Sequence, residues 1–316
     1  MTIRSTLLLL LALCLAPSAS AADKDSLVAP KLGDSVTTKW RFGVIVKAPS
    51  GAVTGIVATT PVPTDWPEQS AKIVEEESSP LVKKVSYRML DGGVKQMVIS
   101  IPRLAAGEEA SATVVFEVTK SEILPPDEVG GLVIPAKLPR ELAKFILPSP
   151  YIESTDPKIK SLAPGIIKDQ TADWEKTEAI FDYVRDNVKY EFAKEIKPAI
   201  AALKDGKGDC EELSSLFIAF CRANKIPARA VWVPDHCYPE FYLQDAQGRG
   251  QWFPCQAAGA GHDFGTMKEA RPILQKGDNF RVPEEKQPQR YVKQFLKAAN
   301  AEANPEVTFI LERVKD

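Results

Sequence analysis

The sequence predicts an α+β protein in which an all-β, sandwich-like N-terminal part precedes a part where helices come before antiparallel strands. Three observations predict it. Residues 36–120 hold five short segments rich in Val, Ile, Thr and aromatics, cut by turn formers and without helical period. Residues 171–190 and 207–220 change to an apolar period near 3.6. Short β-type runs then follow at 228–234, 236–244 and 250–256.

The elements follow in order. Residues 1–22 read as a secretory signal peptide, with Arg4 as the positive end, an apolar run from Leu7 to Leu15, and a small-residue cleavage site at Ala19-Ser20-Ala21. Leu13 is too bulky for the position before a lipidated cysteine, which argues against an anchor at Cys14. Residues 23–125 form the sandwich-like domain. Its firmest hairpin is Asp91-Gly92-Gly93, between "LVKKVSYRML" and "VKQMVISI". In "ASATVVFEVTK" the residues Ala112, Val114, Phe116 and Val118 make one apolar face. Nothing in this part gathers His, Cys or paired acids. Residues 126–150 carry repeated prolines and read as a linker.

Residues 151–316 make the second domain. In "TADWEKTEAIFDYVRDNVKY", Trp174, Phe181, Val184 and Val188 share one helical face. "DAQGRG" at 245–250 reads as a hairpin loop between the runs "HCYPEFYLQ" and "GQWFPCQ". The tail is expected to hold a helix over 287–300 and a strand over 307–314.

The charge balance, 40 Lys and Arg against 42 Asp and Glu, leaves no basic face for nucleic acid or anionic membrane. After the leader no segment is long and apolar enough to span a bilayer. The expected product is an exported protein, periplasmic or extracellular.

Cys210 opens a helix. Asp209 is a good N-cap and Glu212, three residues on, completes an aspartate form of the capping box. Cys210, Leu213, Leu216, Phe217 and Phe220 then fall on one apolar stripe. The cysteine therefore sits at the helix mouth and faces inward. Free N–H groups and the positive helix end favour thiolate there, and could later steady an oxyanion. Asp209, Glu211 and Glu212 oppose it, so a cationic partner is needed. The sequence has two histidines. His262 lies in the Gly-rich loop "AGAGHDFG", whereas His236 starts a strand, which holds a base more firmly. Folding the hairpin about 245–250 brings Gln256 near His236, where its amide oxygen can orient the imidazole. Asp235 and Asp263 are the alternative carboxylates.

These residues resemble the transglutaminase-like superfamily, whose fold is papain-like. "GDCEELSSLFIAFCRANKIPARAV" is similar to its cysteine motif, "HCYPEFYL" to its histidine strand, and "QWFPCQAAG" lies where the family has its aspartate. The helix ending "FDYVRDNVKYE" suits the family's upstream helix, and the likeness covers roughly 150–265. It implies Cys210 as nucleophile and His236 as base, with Gln256 in place of the aspartate. The implied reaction is acyl transfer at a protein or peptide amide through a thioester, resolved by water or by an amine acceptor.

Trp232, Tyr238 and Trp252 are the aromatic candidates for lining a substrate groove. Cys237 and Cys255, on paired strands, are close enough in the expected hairpin for a disulfide. With His236 and His262 they match no zinc-ligand spacing, and the sequence carries no sign of a metal or organic cofactor. The rival reading is a non-catalytic peptide-binding module that keeps the same shape.

Overall fold

The computed structural model describes residues 28–192 and 195–315. The expected signal peptide and Cys14 lie outside the described residues. Six strands come first: β1 (Leu32–Lys47), β2 (Val53–Val62), β3 (Gln69–Ser78), β4 (Lys84–Leu90), β5 (Val94–Leu104) and β6 (Glu109–Ile123). The second part holds a short helix α1 (Arg140–Ala143), then α2 (Pro157–Ile167), α3 (Asp173–Asn187), strand β7 (Lys189–Tyr190), α4 (Ala199–Asp205), β8 (Lys207–Gly208) and α5 (Cys210–Ala223). The remaining strands are β9 (Ala228–Val233), β10 (His236–Gln244), β11 (Gly250–Pro254), β12 (Gln275–Lys276), β13 (Phe295–Lys297), β14 (Asn300–Ala301) and β15 (Glu306–Val314). The chain is α+β, with a β-rich N-terminal region. No helix among the described residues is long and apolar enough to cross a membrane.

The N-terminal strands form two antiparallel sheets. One runs β15-β1-β6-β3; the other runs β13-β2-β5-β4, with β14 also on β2. Period-2 alternation fills the space between them. Phe42, Val44 and Val46 of β1, Ile99 and Ile101 of β5, and Val114, Phe116 and Val118 of β6 share this core. Phe42 meets Phe116 edge to face at 5.8 Å.

The tail departs from the sequence reading. Residues 287–300 form no helix: Phe295–Lys297 pair with Val57–Thr59 of β2, and Asn300–Ala301 with Val53–Thr54. An open β2 edge satisfies its backbone by recruiting this segment, and tertiary pairing overrides the local helical pattern. The strand expected at 307–314 forms, as β15 paired to β1 from Lys39↔Val314 to Lys47↔Glu306. The sheets of the sandwich thus include residues 295–314, which the sequence reading assigned to the second unit.

The second part packs helices against the antiparallel sheet β11-β10-β9-β12. Trp174, Phe181 and Val184 of α3 and Leu213, Leu216, Phe217 and Phe220 of α5 meet Phe241 of β10 and Phe253 of β11 in one buried cluster. Trp174 stands edge-on to Phe241, Phe253 and Phe264, with ring centroids 5.0–5.6 Å apart. This cluster fixes the start of α5 against the start of β10, and that junction positions the site.

Candidate active site

The start of α5 is held from three sides. Asp209 Oδ1 accepts from Glu211 N at 2.8 Å. Glu212 Oε2 accepts from Asp209 N at 2.9 Å, and its Oε1 accepts from Lys197 N at 2.8 Å. The capping residues expected from the sequence therefore form, and Glu212 also ties down the loop before α4. Gly208 is required by close approach: a Cβ there would lie 2.6 Å from Glu212 Cβ. Cys210 is the first helical residue and remains partly exposed.

His236 is the first residue of β10 and follows Asp235, whose φ of 56° makes a tight left-handed turn. Its Nε2 lies 3.2 Å from Gln256 Oε1. An amide oxygen only accepts, so Nε2 carries the proton and Nδ1 is left for the cysteine sulfur. Gln256 is itself positioned. Its N–H donates to Asp263 O at 2.8 Å, and its carbonyl accepts from Arg185 Nη1 at 2.9 Å. Arg185, on α3, also donates to Gly259 O at 3.0 Å. It is a support that sequence reading missed, since only the fold brings residues 185 and 256 together. Asp263 thus contributes its backbone carbonyl to Gln256.

The Cys210 thiol is lowered to about 5. The largest cause is a hydrogen bond from the Cys237 side chain; burial opposes it, and hydrogen bonds from His236 and from the Cys237 backbone add to the lowering. Burial pushes the adjacent Glu211 carboxyl up to about 7, so part of the adverse negative charge beside the thiolate is absent below neutrality. Arg290 Nε stands 3.4 Å from Glu211 Oε2, and its Nη2 donates to the Glu211 carbonyl at 2.8 Å.

A cleft of about 370 Å³ opens beside His236. Glu211, Trp232, Asp235, Gln275, Tyr291 and Lys293 are among its lining residues, and Pro61 and Leu311 of the sandwich close one side. Of the three aromatic candidates, Trp232 lines this cleft. Its indole N–H is already donated to Gly277 O at 2.8 Å, so it offers a surface rather than a donor. Tyr238 and Trp252 do not line the cleft. Tyr238 is fully buried in a separate cluster with Val231, Met267 and Ile273. Trp252 lies beneath the Arg229 guanidinium at 4.0 Å and borders a different cavity, of about 200 Å³. Both sit on the sheet surface turned away from α5. Tyr291, from the misread tail, is a lining residue that no local pattern announces.

His262 is on the surface, with its Nε2 3.0 Å from Asp182 Oδ1. The four described cysteines are free thiols, so Cys237 and Cys255 are not bridged.

Residues 160–257 match the sequence profile of the Transglutaminase-like superfamily. A candidate cysteine protease from Cytophaga hutchinsonii shares the fold at a TM-score of 0.60 and 18% identity, over 90% of this chain and 93% of that one. A candidate protease from Parabacteroides distasonis aligns at a TM-score of 0.30 and 16% identity, over 76% of this chain and 48% of that one. No curated protein sequence matches the chain. Residues 160–257, which carry Cys210 at the start of α5, His236 at the start of β10 and Gln256 just past the end of β11, are similar to the Transglutaminase-like superfamily.

Proposed function

We propose that the protein is an exported, cysteine-dependent enzyme that transfers the acyl group of a protein or peptide amide through a thioester. Cys210 is the nucleophile, His236 the base and later the acid, and Gln256 the group that orients the imidazole. The observation that carries this reading is the arrangement at the mouth of α5. A thiol lowered to about 5, with His236 among the groups that lower it, sits at the helix mouth, and the Nε2 of that His236 is 3.2 Å from a fixed amide oxygen.

The steps follow from the positions. The Cys210 thiolate attacks the amide carbon. The N–H of Cys210, at the first helical position, has no partner within the helix and faces the developing oxyanion. His236, holding the proton taken from the thiol, protonates the leaving amine, and the thioester remains on Cys210. His236 then deprotonates the acceptor. Water gives the acid and a primary amine gives a new amide. We favour hydrolysis, because the cleft is open to water and nothing in its lining singles out an amine acceptor. The cleft takes an extended polypeptide against Trp232 and Tyr291.

The test is a partitioning assay on the protein with and without Cys210→Ala. β-Casein serves as polypeptide substrate, with hydroxylamine as a competing nucleophile. Expected are new N-termini or released ammonia, together with hydroxamate, all lost in Cys210→Ala. Casein unchanged by active-site-intact protein, while an extended peptide binds equally well to Cys210→Ala, would favour the non-catalytic module.

A further inference from the structure

Beside Cys210 lies a second thiol that the proposed chemistry does not consume. Cys237 follows His236 on β10 and is fully buried. Its Sγ is 3.6 Å from the carbonyl oxygen of Cys210. One turn further along α5, Ser214 Oγ reaches the Cys237 carbonyl at 3.5 Å. Cys210 and Ser214 share one face of the helix, so residue 237 is seated directly against residue 210. The single S–H of Cys237 can serve either the carbonyl or the sulfur of Cys210 from this place.

The two thiols differ in access and in charge. Cys210 is partly exposed and is the thiolate; Cys237 is closed to solvent and stays protonated, since burial pushes it well above the ordinary thiol range. Cys221 and Cys255 are also fully buried and raised. An oxidant arriving from solvent therefore meets Cys210 first. Its product then faces a resolving thiol within the same core.

We propose that Cys210 and Cys237 form a site of reversible oxidative modification, an intramolecular disulfide made by peroxide. The inference rests on the reading of Cys210 as an activated thiol. In the first step the Cys210 thiolate attacks one peroxide oxygen, the O–O bond breaks, and Cys210 sulfenic acid and hydroxide form; sulfur is oxidised by two electrons. In the second step the Cys237 sulfur displaces that hydroxyl. An S–S bond forms, and the Cys237 proton leaves with the hydroxyl as water. A dithiol reverses the modification by exchange and restores both thiols. The disulfide blocks the nucleophile and keeps it from irreversible oxidation to sulfinic acid.

The experiment treats the protein with graded hydrogen peroxide at neutral pH, blocks free thiols with N-ethylmaleimide, and maps non-reduced peptides by mass spectrometry. Wild type is expected to lose two hydrogen atoms, to yield a peptide pair linking Cys210 to Cys237, and to recover essentially all Cys210 alkylation after dithiothreitol. In Cys237→Ala and Cys237→Ser, Cys210 is expected to reach the sulfinic state and to recover less than about a tenth of its alkylation. Peroxide-treated wild type with Cys210 as sulfinic acid and Cys237 still free would overturn the inference, as would a link from Cys210 to Cys221 or Cys255. Alkylation of untreated protein separates the two readings. A Cys210 that reacts as thiolate at pH 6 but never links to Cys237 defeats this inference alone, whereas a Cys210 that behaves as an ordinary thiol defeats the activated-thiol reading beneath it.

Discussion

Lys276 is the hinge of a buried charge network between the sandwich and the second part. Its Nζ lies 2.6 Å from Glu68 Oε1 and 2.8 Å from Glu240 Oε1, and all three side chains are at most 4% exposed. Glu240 has a second cation, with Arg229 Nε at 2.9 Å and Nη2 at 2.8 Å on its other oxygen. Glu68 relies on Lys276. In Lys276→Met, Glu240 keeps its guanidinium while Glu68 becomes a buried carboxylate without a cation. Removing one partner of such a pair costs about 3–5 kcal/mol, because the remaining charge is left desolvated. At roughly 2–4 °C per kcal/mol for a large domain, the melting midpoint should fall by about 6–20 °C. Lys276→Met/Glu68→Leu removes both charges and should recover most of that loss. The assay is calorimetric melting of the three proteins at one pH and salt concentration, with reversibility checked. A single variant melting within about 2 °C of wild type, less than 1 kcal/mol on that scale, would refute the reasoning. So would a double variant no better than the single.

Other expectations concern the site. Gln256→Ala removes the 3.2 Å contact to His236 and should lower kcat/KM by about 1–3 kcal/mol, roughly 5- to 150-fold, with melting unchanged and Gln256→Glu recovering activity. Steady-state kinetics on any cleaved peptide checks this. Glu211, pushed up to about 7, should place an inflection near neutrality in the pH profile of Cys210 reactivity; Glu211→Gln should abolish that inflection and leave the acid limb. The folded-state value of Cys210 is depressed to about 5, below the ordinary thiol value of about 8.5. The thiolate therefore contributes stability that is fully present above the unfolded value and lost as pH falls toward 5. The stability gap between wild type and Cys210→Ser, read from denaturant melts, should widen as pH rises from 5 to about 8.5 and then level off. A gap that narrows with rising pH would count against it.

The site was legible where local chemistry and short loops determine geometry. Asp209 and Glu212 announce a cap because a helix start needs acceptors for its free N–H groups, and that places Cys210 without any tertiary knowledge. Gln256 was found by folding a hairpin whose loop, 245–250, spans few residues. The sheet pairs Glu240 with Pro254 as that folding requires. What stayed hidden is non-local. The 287–300 segment has helix-compatible residues, and only the open edge of β2 makes Phe295–Lys297 extended. Tyr291 and Pro61 reach the cleft beside that pairing, and Leu311 reaches it through the pairing of β15 with β1. Tyr238 and Trp252 were misplaced because composition marks an aromatic but not the side of the sheet it occupies. Nothing local in the sequence pairs Cys237 with Cys210, since strand-to-helix packing sets their contact.

The central claim is that Cys210 and His236 form a thiolate–imidazole pair. The direct measurement is the rate of Cys210 alkylation by iodoacetamide from pH 4 to 10, resolved by mass spectrometry, in wild type and in His236→Ala. The midpoint is the informative quantity, not the rate at neutrality. A low thiol pKa raises the thiolate fraction but lowers its intrinsic nucleophilicity, and over several pH units the two largely offset. The account predicts a wild-type midpoint near 5 that moves upward when the imidazole is removed. A midpoint near the ordinary value of about 8.5 in wild type, unchanged in His236→Ala, would contradict it.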